Sequence, residues 1–348
     1  MDSLGDKIWG LVGRLVQKAH RHNVAALLHR LKPREATDSD RHSFASAYRG
    51  TLAQNLLFLE TTRDLLEVFE KAKISVMPLK GILFASRFYK DIGVRPQSDV
   101  DLLVHEEDLD LAHRLLIEQG FGEAWPRAFY QDHYHWVYRR GTILLELHWA
   151  LKAPGTCSPN LARIWDQARW CFAEGVEFLE MAPEDLLTYL AVNKAHQRFP
   201  ALLDYVDLAK ILQHSPLDWE RFCQEALKDK TAGPVWFGLS VAKDLLDVPV
   251  PDEVLRTLSK PFHAWLSIVL KKLIDLQGGP LHIPCEWLDG PTGRLYESFM
   301  EGRPSAIFHL IRPLMFPSRA RVSVLAKGSY PRYYYNQLRR FLEQVTRS

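Results

Sequence analysis

The sequence predicts an α+β fold, with a small mixed sheet flanked by N-terminal helices and by a mostly helical C-terminal region. Three observations predict it. Apolar residues recur at three- and four-residue spacing up to about residue 72. Between residues 74 and 152 the texture changes to short β-type runs separated by glycine turns and two helices, and beyond Pro154 helical spacing returns almost throughout. The 348-residue chain therefore divides into an N-terminal helical segment (1–73), an α/β core (74–152) and a helical C-terminal domain (153–348). With 47% apolar and 25% charged residues the composition is globular, which excludes disordered, collagen-like and disulfide-scaffold classes.

Within the first segment, Ile8, Leu11, Val12, Leu15, Val16 and Ala19, then Leu27, Leu28 and Leu31, line one side of an amphipathic helix bent near His22. That face either covers the protein's own core or lies on an anionic membrane surface. Polar residues from Pro33 to Asp40 end it. A second long helix is expected from about Ser43 to Ala72, with Leu52, Leu56, Leu59, Leu65, Leu66 and Phe69 inward.

In the core, residues 74–79 read as a strand, Lys80-Gly81 as a turn and Ile82–Tyr89 as a helix, followed by a loop to Ser98. Val100–Val104 forms the next strand, and a helix from about Glu106 stops before Gly120. Residues 129–138 and 142–149 form a strand pair around Arg139-Arg140-Gly141. In the C-terminal region, Pro183 opens a helix, Leu202–Leu212 forms another, and Asp218, Ala232 and Pro251 open three more.

The chemistry concentrates in the core. Residues two apart on a strand share a face, so Asp99 and Asp101 present adjacent carboxylates at the start of a strand. Two such charges repel unless a cation lies between them, and a divalent ion such as Mg²⁺ holding a phosphate is the simplest partner. The plain alternative is a capping Asp99 and a solvated Asp101. Gly81, at a strand-to-helix turn, lets the backbone approach a phosphate. Glu146 lies within the apolar run Ile143–Trp149, where an unpartnered carboxylate is costly to bury, so it calls for a cation nearby.

Lys80-Gly81, Asp99-x-Asp101 and Glu146 together resemble the polymerase β-type nucleotidyltransferase superfamily, whose pattern is a glycine turn, an acidic pair on a strand and a third acidic strand residue. The run from Leu79-Lys80-Gly81 through Arg95-Pro96 and Asp99-Val-Asp-Leu-Leu-Val104 to Glu146-Leu-His-Trp149 is similar to a largely uncharacterised bacterial nucleotidyltransferase family with an L-K-G…R-P…D-[IV]-D-L-L-V signature. The downstream residues Pro183–Leu187, Lys194–His196 and Leu203–Leu208 match that family more loosely. The resemblance implies a polymerase β-like core and a two-metal transfer of nucleoside monophosphate from a nucleoside triphosphate such as ATP to a hydroxyl, with release of pyrophosphate. It also implies roles. Asp99 and Asp101 hold one Mg²⁺ (or Mn²⁺), Asp101 and Glu146 a second, while Lys80, Gly81, Arg95 and Ser98 lie on the nucleotide side. One departure stands out: where the superfamily usually has Gly-Gly or Gly-Ser, Gly81 is followed by Ile82, and Lys80 is the residue available for phosphate. Arg95 either neutralises the triphosphate or anchors its loop through Asp91.

Weaker features lie on the acceptor side. His133, His135 and His148 gather near Glu146, either as a Zn²⁺ cluster or as hydrogen-bonded residues lining an acceptor pocket. Asp207, near His196 and Lys194, orients the acceptor, serves as an auxiliary base or forms a helix salt bridge. The tail from Glu301 carries nine Arg or Lys residues against Glu301 and Glu343, about +7 and rich in tyrosine. It can track an RNA backbone or pack as a terminal helix. The whole chain, with 44 Lys and Arg against 42 Asp and Glu, has no global field that would draw nucleic acid. Four widely spaced cysteines without a C-x-x-C pair fit a reducing compartment, and Asp2 and Asp6 precede any apolar run. No apolar stretch reaches the length of a membrane span. The expectation is a cytoplasmic transferase acting on a small molecule, peptide or protein. An RNA-directed or toxin-like transferase and a non-catalytic nucleotide-binding scaffold are the alternatives.

Overall fold

The structure, a computed structural model, describes residues 4–127, 133–153, 156–196, 201–259 and 329. The basic tail considered above lies outside them, apart from Ser329.

The N-terminal amphipathic pattern forms three helices rather than one bent helix: α1 (Leu4–Leu11), α2 (Val16–Arg21) and α3 (Ala25–Leu31). The breaks fall at Gly13 and Arg14, then at Asn23, all with positive φ, a conformation that stops a right-handed helix. Helix α4 (Asp38–Lys71) starts earlier than its apolar spacing indicates. Thr37 Oγ1 accepts from the Asp40 amide while Asp40 Oδ2 accepts from the Thr37 amide, so a reciprocal cap fixes the start five residues ahead of the apolar pattern.

Five strands make the main sheet: β1 (Val76–Pro78), β2 (Val100–Val104), β3 (Gly122–Glu123), β4 (His135–Arg140) and β5 (Ile143–His148), in the order β1-β2-β5-β4-β3. Only β2 and β5 run parallel, which makes the sheet mixed. Two helical segments serve it. Helix α5 (Ile82–Phe84) continues as a π-helical turn to Tyr89, and α6 (Leu109–Glu118) ends before Gly120, whose φ is +79°.

The C-terminal side holds α7 (Leu161–Gln167), α8 (Pro183–His196), α9 (Leu202–His214), α10 (Trp219–Lys228), α11 (Ala232–Leu246) and α12 (Asp252–Leu258). It also contains an unexpected hairpin, β6 (Arg169–Ala173) and β7 (Val176–Glu180), turning at Glu174-Gly175 with φ of +53° and +80°. Strand β7 lies against β1, and its Phe178 enters the core of the sheet. Helical spacing does not rule this region after all, because a short hairpin docked on a sheet needs only one inward residue per pair.

Two apolar cores result. In one, Phe58, Leu65 and Phe69 of α4 pack on Leu102 and Val104 of β2 and Leu116 of α6. In the other, Ile8, Trp9 and Leu28 join Leu187, Leu203 and Trp236, so the N-terminal helices pack with the C-terminal ones. Helix α4 spans both, contributing Phe44 to the second. Each such side chain contributes about 1.5–3 kcal/mol on burial. The sheet is thereby held from two sides, and one end of β2 is left facing a cleft. Among the described residues no helix is long and apolar enough to cross a membrane.

Candidate active site

All five residues of β2 are buried, as befits a central strand with a parallel neighbour. Alternation sends Val100, Leu102 and Val104 into the core with α4, while Asp101 faces the other way alongside Asp99, which immediately precedes the strand. The parallel register places Glu146 of β5 directly opposite Asp101. One carboxylate oxygen from each of Asp99, Asp101 and Glu146 lies within 4.8 Å of the others. Glu146, 45 residues after Asp101, thus joins the Asp99–Asp101 pair on one face of two adjacent strands.

Lys80 closes this face from the turn after β1. Its Nζ is 3.2 Å from Asp101 Oδ2 and 3.8 Å from Asp99 Oδ1. Burial opposes its charge, but Asp101 and Asp99 outweigh that cost and hold the ammonium above the ordinary lysine range. The two aspartates respond differently. Burial and the charge of Asp101 push Asp99 up to about 6, against the pull of Lys80 and a Ser98 hydrogen bond. Asp101 is buried more deeply, yet Lys80 and His148 overcome desolvation and keep it below the usual carboxylate range. The site holds more negative charge than Lys80 can neutralise.

Gly81 makes the turn possible. Its φ is +86°, and a Cβ there would meet Gln97 Oε1 at 3.0 Å. The turn, Ser98 and Asp99 line a cleft of about 270 Å³ that is walled on its far side by Arg95, Lys194 and Asp204. Gln97 lines it too, and both polar atoms of its amide are buried without a hydrogen-bond partner. Nothing in sequence reasoning singled out Gln97; its place two residues before Asp99 was the available signal.

On the other flank the β4–β5 register sets His135 opposite His148, and both share the face of Glu146. His148 Nε2 lies 3.3 Å from Asp101 Oδ1 and 3.2 Å from Glu146 Oε2, while His135 Nε2 is 4.0 Å from Glu146 Oε1. Burial, and then the neighbouring His148, push His135 down to about 4. Desolvation also opposes charge on His148, but its hydrogen bonds to Asp101 and Glu146 raise it. The His133 ring stands 5.9 Å from that of His135.

Arg95, which lines the cleft, is paired with Asp207 of α9. Arg95 Nη2 donates to Asp207 Oδ2 at 2.8 Å and Arg95 Nε to Oδ1 at 2.9 Å, and the Tyr89 hydroxyl donates to Oδ1 at 2.6 Å. Both charged side chains are 5% exposed or less. Asp207 is therefore a buried salt-bridge partner, with its oxygens engaged by the core rather than turned to an acceptor. Asp91, in turn, accepts from Tyr48 and the Gly93 amide and lies near Arg30, so Arg95 anchors its loop through Asp207 instead. Lys194 pairs with Asp204 at 2.8 Å. His196 ends α8, and its side chain lies outside the described residues.

A divalent cation fits the acidic face. Asp101 Oδ2 is buried and, despite its proximity to Lys80, receives no well-directed hydrogen bond. Hard carboxylate oxygens grouped beside an open cleft are the donor set that Mg²⁺ takes.

Comparison with known proteins gives the family to which the chain belongs. The family model described as an uncharacterised nucleotidyltransferase matches residues 12–247. No curated protein matches the chain. Among solved structures, the antibiotic-resistance factor ANT(2'')-Ia aligns with a TM-score of 0.32 and 11% identity, over 64% of this chain and 98% of its own. An antigenic nucleotidyltransferase-like protein from Paracoccidioides brasiliensis gives a TM-score of 0.37 at 18% identity, over 57% and 92% of the two chains. A tRNA-processing enzyme in an apo form gives 0.27 at 14%, over 83% and 88%. Likenesses this distant say nothing of substrate. The family match spans more than half of the sequence, and the chain belongs to the uncharacterised nucleotidyltransferase family.

Proposed function

We propose that this nucleotidyltransferase moves a nucleoside monophosphate from a nucleoside triphosphate to a hydroxyl of a small molecule, peptide or protein, with release of pyrophosphate. The observation that carries this reading is the parallel β2–β5 register, which brings Glu146 opposite Asp101 and beside Asp99 at the mouth of a cleft. Asp99 and Asp101 would hold one Mg²⁺ and Asp101 and Glu146 a second ion. Such ions neutralise the triphosphate and lower the pKa of the attacking hydroxyl.

The chain's own residues do the rest. Gly81 leaves the backbone bare at the start of α5, where a phosphate oxygen can approach free amides. Lys80, which lies against the carboxylates of Asp99 and Asp101, would be the cation available to the phosphates. Ser98, exposed at the rim, and the unpartnered amide of Gln97 would donate to the nucleotide. Arg95, held by Asp207, forms a fixed cationic wall.

The test is ligand-induced stabilisation with each ribonucleoside triphosphate, with and without Mg²⁺, followed by transfer of α-phosphate label to small-molecule, protein and RNA pools. At 100 times its Kd the donor adds about 2.7 kcal/mol. Asp101→Asn and Glu146→Gln are expected to abolish label transfer, and turnover surviving in either would overturn the assignment. Label on RNA alone would make the enzyme RNA-directed. Nucleotide binding without metal or turnover would make it a scaffold.

A further inference from the structure

The flank formed by His135, Glu146 and His148 differs in chemistry from the Asp99–Asp101 pair. Its ligand atoms, one per residue, lie within 4.8 Å of one another. All three sit on one face of the antiparallel β4–β5 ladder, His135 directly across from His148 and Glu146 two residues before His148. A ladder of this kind holds side chains more precisely than a loop does. His148 is only 4% exposed, and its Nδ1, like that of His135, is buried with no hydrogen-bond partner. No contact from behind therefore competes for either ring, and His148 Nε2, which faces Asp101 and Glu146 as a donor, gives up its proton when it takes a cation.

We infer that His135, Glu146 and His148 bind a divalent transition-metal ion, so that the acceptor-side cation of this enzyme is nitrogen-ligated Zn²⁺ or Co²⁺ rather than Mg²⁺. The inference deepens the proposed reading and rests on it only in sharing Glu146 with the acidic face. Two imidazoles and a carboxylate with an open position suit these borderline ions, whereas Mg²⁺ demands oxygen ligands in octahedral array. Mg²⁺ would keep the Asp99–Asp101 oxygens. The two sites are linked: a metal on His148 Nε2 withdraws that atom from Asp101 Oδ1, 3.3 Å away, and frees the aspartate for its own cation. Without hydrogen bonds that orient the rings from behind, the ion exchanges readily and is not a structural one.

Co²⁺ titration of the full chain, followed by visible absorption, tests this directly. One ion per chain is expected, with the intense d–d band of four- or five-coordination, displaced by equimolar Zn²⁺ and resistant to a hundredfold excess of Mg²⁺. His148→Gln and His135→Gln are each expected to weaken Co²⁺ binding roughly tenfold or more, a difference of about 1.4 kcal/mol per decade. His135, at the partly exposed rim, provides the variant least able to disturb folding. Asp99→Asn is expected to retain the band. A weak octahedral spectrum, equal competition by Mg²⁺, or wild-type Co²⁺ affinity in both histidine variants overturns the inference. Stabilisation by Mg²⁺ and nucleoside triphosphate, read on the same samples, separates the two claims. If Asp99→Asn retains that stabilisation, the donor-site reading fails while the histidine site stands; if the histidine variants keep the Co²⁺ band, only the inference fails.

Discussion

Two of the regions in which the described residues bury charge do so in opposite ways. Where the core meets α9, Asp207 receives Tyr89 and Arg95 on one oxygen and Arg95 on the other, so a single carboxylate is matched donor for donor. On the face of β2 and β5, three carboxylates and two imidazoles crowd around a single ammonium, and Asp101 Oδ2 lacks a hydrogen bond. Matched charge fixes geometry, because every alternative arrangement leaves a buried group unpaired. Unmatched charge stores an affinity for whatever cation or phosphate restores the balance. The first region positions the cleft and the second is equipped for chemistry.

The strongest way to break this contrast is to remove a matched partner. Asp207→Ala strands Arg95 in the interior, and a loss of about 3–5 kcal/mol is expected in denaturant unfolding, which Mg²⁺ does not restore. At the other region, Lys80→Met removes the ammonium that lies beside both Asp99 and Asp101. There a smaller loss of about 2–3 kcal/mol is expected, and Mg²⁺ should recover most of it. If Mg²⁺ rescues both variants or neither, the distinction between the regions is wrong. Gly81→Ala sharpens it: with φ at +86° and Gln97 close by, the substitution should cost about 2 kcal/mol and weaken nucleotide binding, while the Arg95 clasp stays intact.

The smallest effect has the opposite sign. Asp99 titrates near 6 in the metal-free protein, above its ordinary 3.8. Its folded-state pKa is raised, so between about pH 4 and 6 the folded state binds more protons than the unfolded one. Stability from this group accordingly rises as pH falls through 6 and is lost as pH rises. Asp99→Asn should therefore stabilise the metal-free protein at pH 7.5 by about 1–2 kcal/mol, with the difference from wild type vanishing towards pH 4. Unfolding curves at several pH values check it, and a destabilised variant at pH 7.5 would show that Asp99 is already matched.

Much of this was legible along the chain. Val100–Val104 forms the expected strand because its apolar run is bounded by acids and a loop, and Pro183, Asp218 and Pro251 stand at the helix starts they signal. The hairpin at 169–180 was not legible. Its outward Trp170 and Phe172, 70% and 67% exposed, give it no clean apolar-in, polar-out alternation. The reciprocal Thr37–Asp40 cap escaped a reading based on apolar spacing alone, as did the break at Gly13 and Arg14 in the N-terminal helix pattern.

By itself the sequence determined the elements and the residue types of the site, because both depend on local periodicity, turn chemistry and the cost of placing acids in apolar strands. It also carried the family, through residues close together in the chain. Tertiary structure decided the register in which those charges meet. That Glu146 lies opposite Asp101, that His135 faces His148, and that Arg95 takes Asp207 rather than Asp91 all follow from strand register and helix docking. Those pairings join residues up to 112 positions apart, and they are set by the burial of apolar faces whose own patterns do not name their partners.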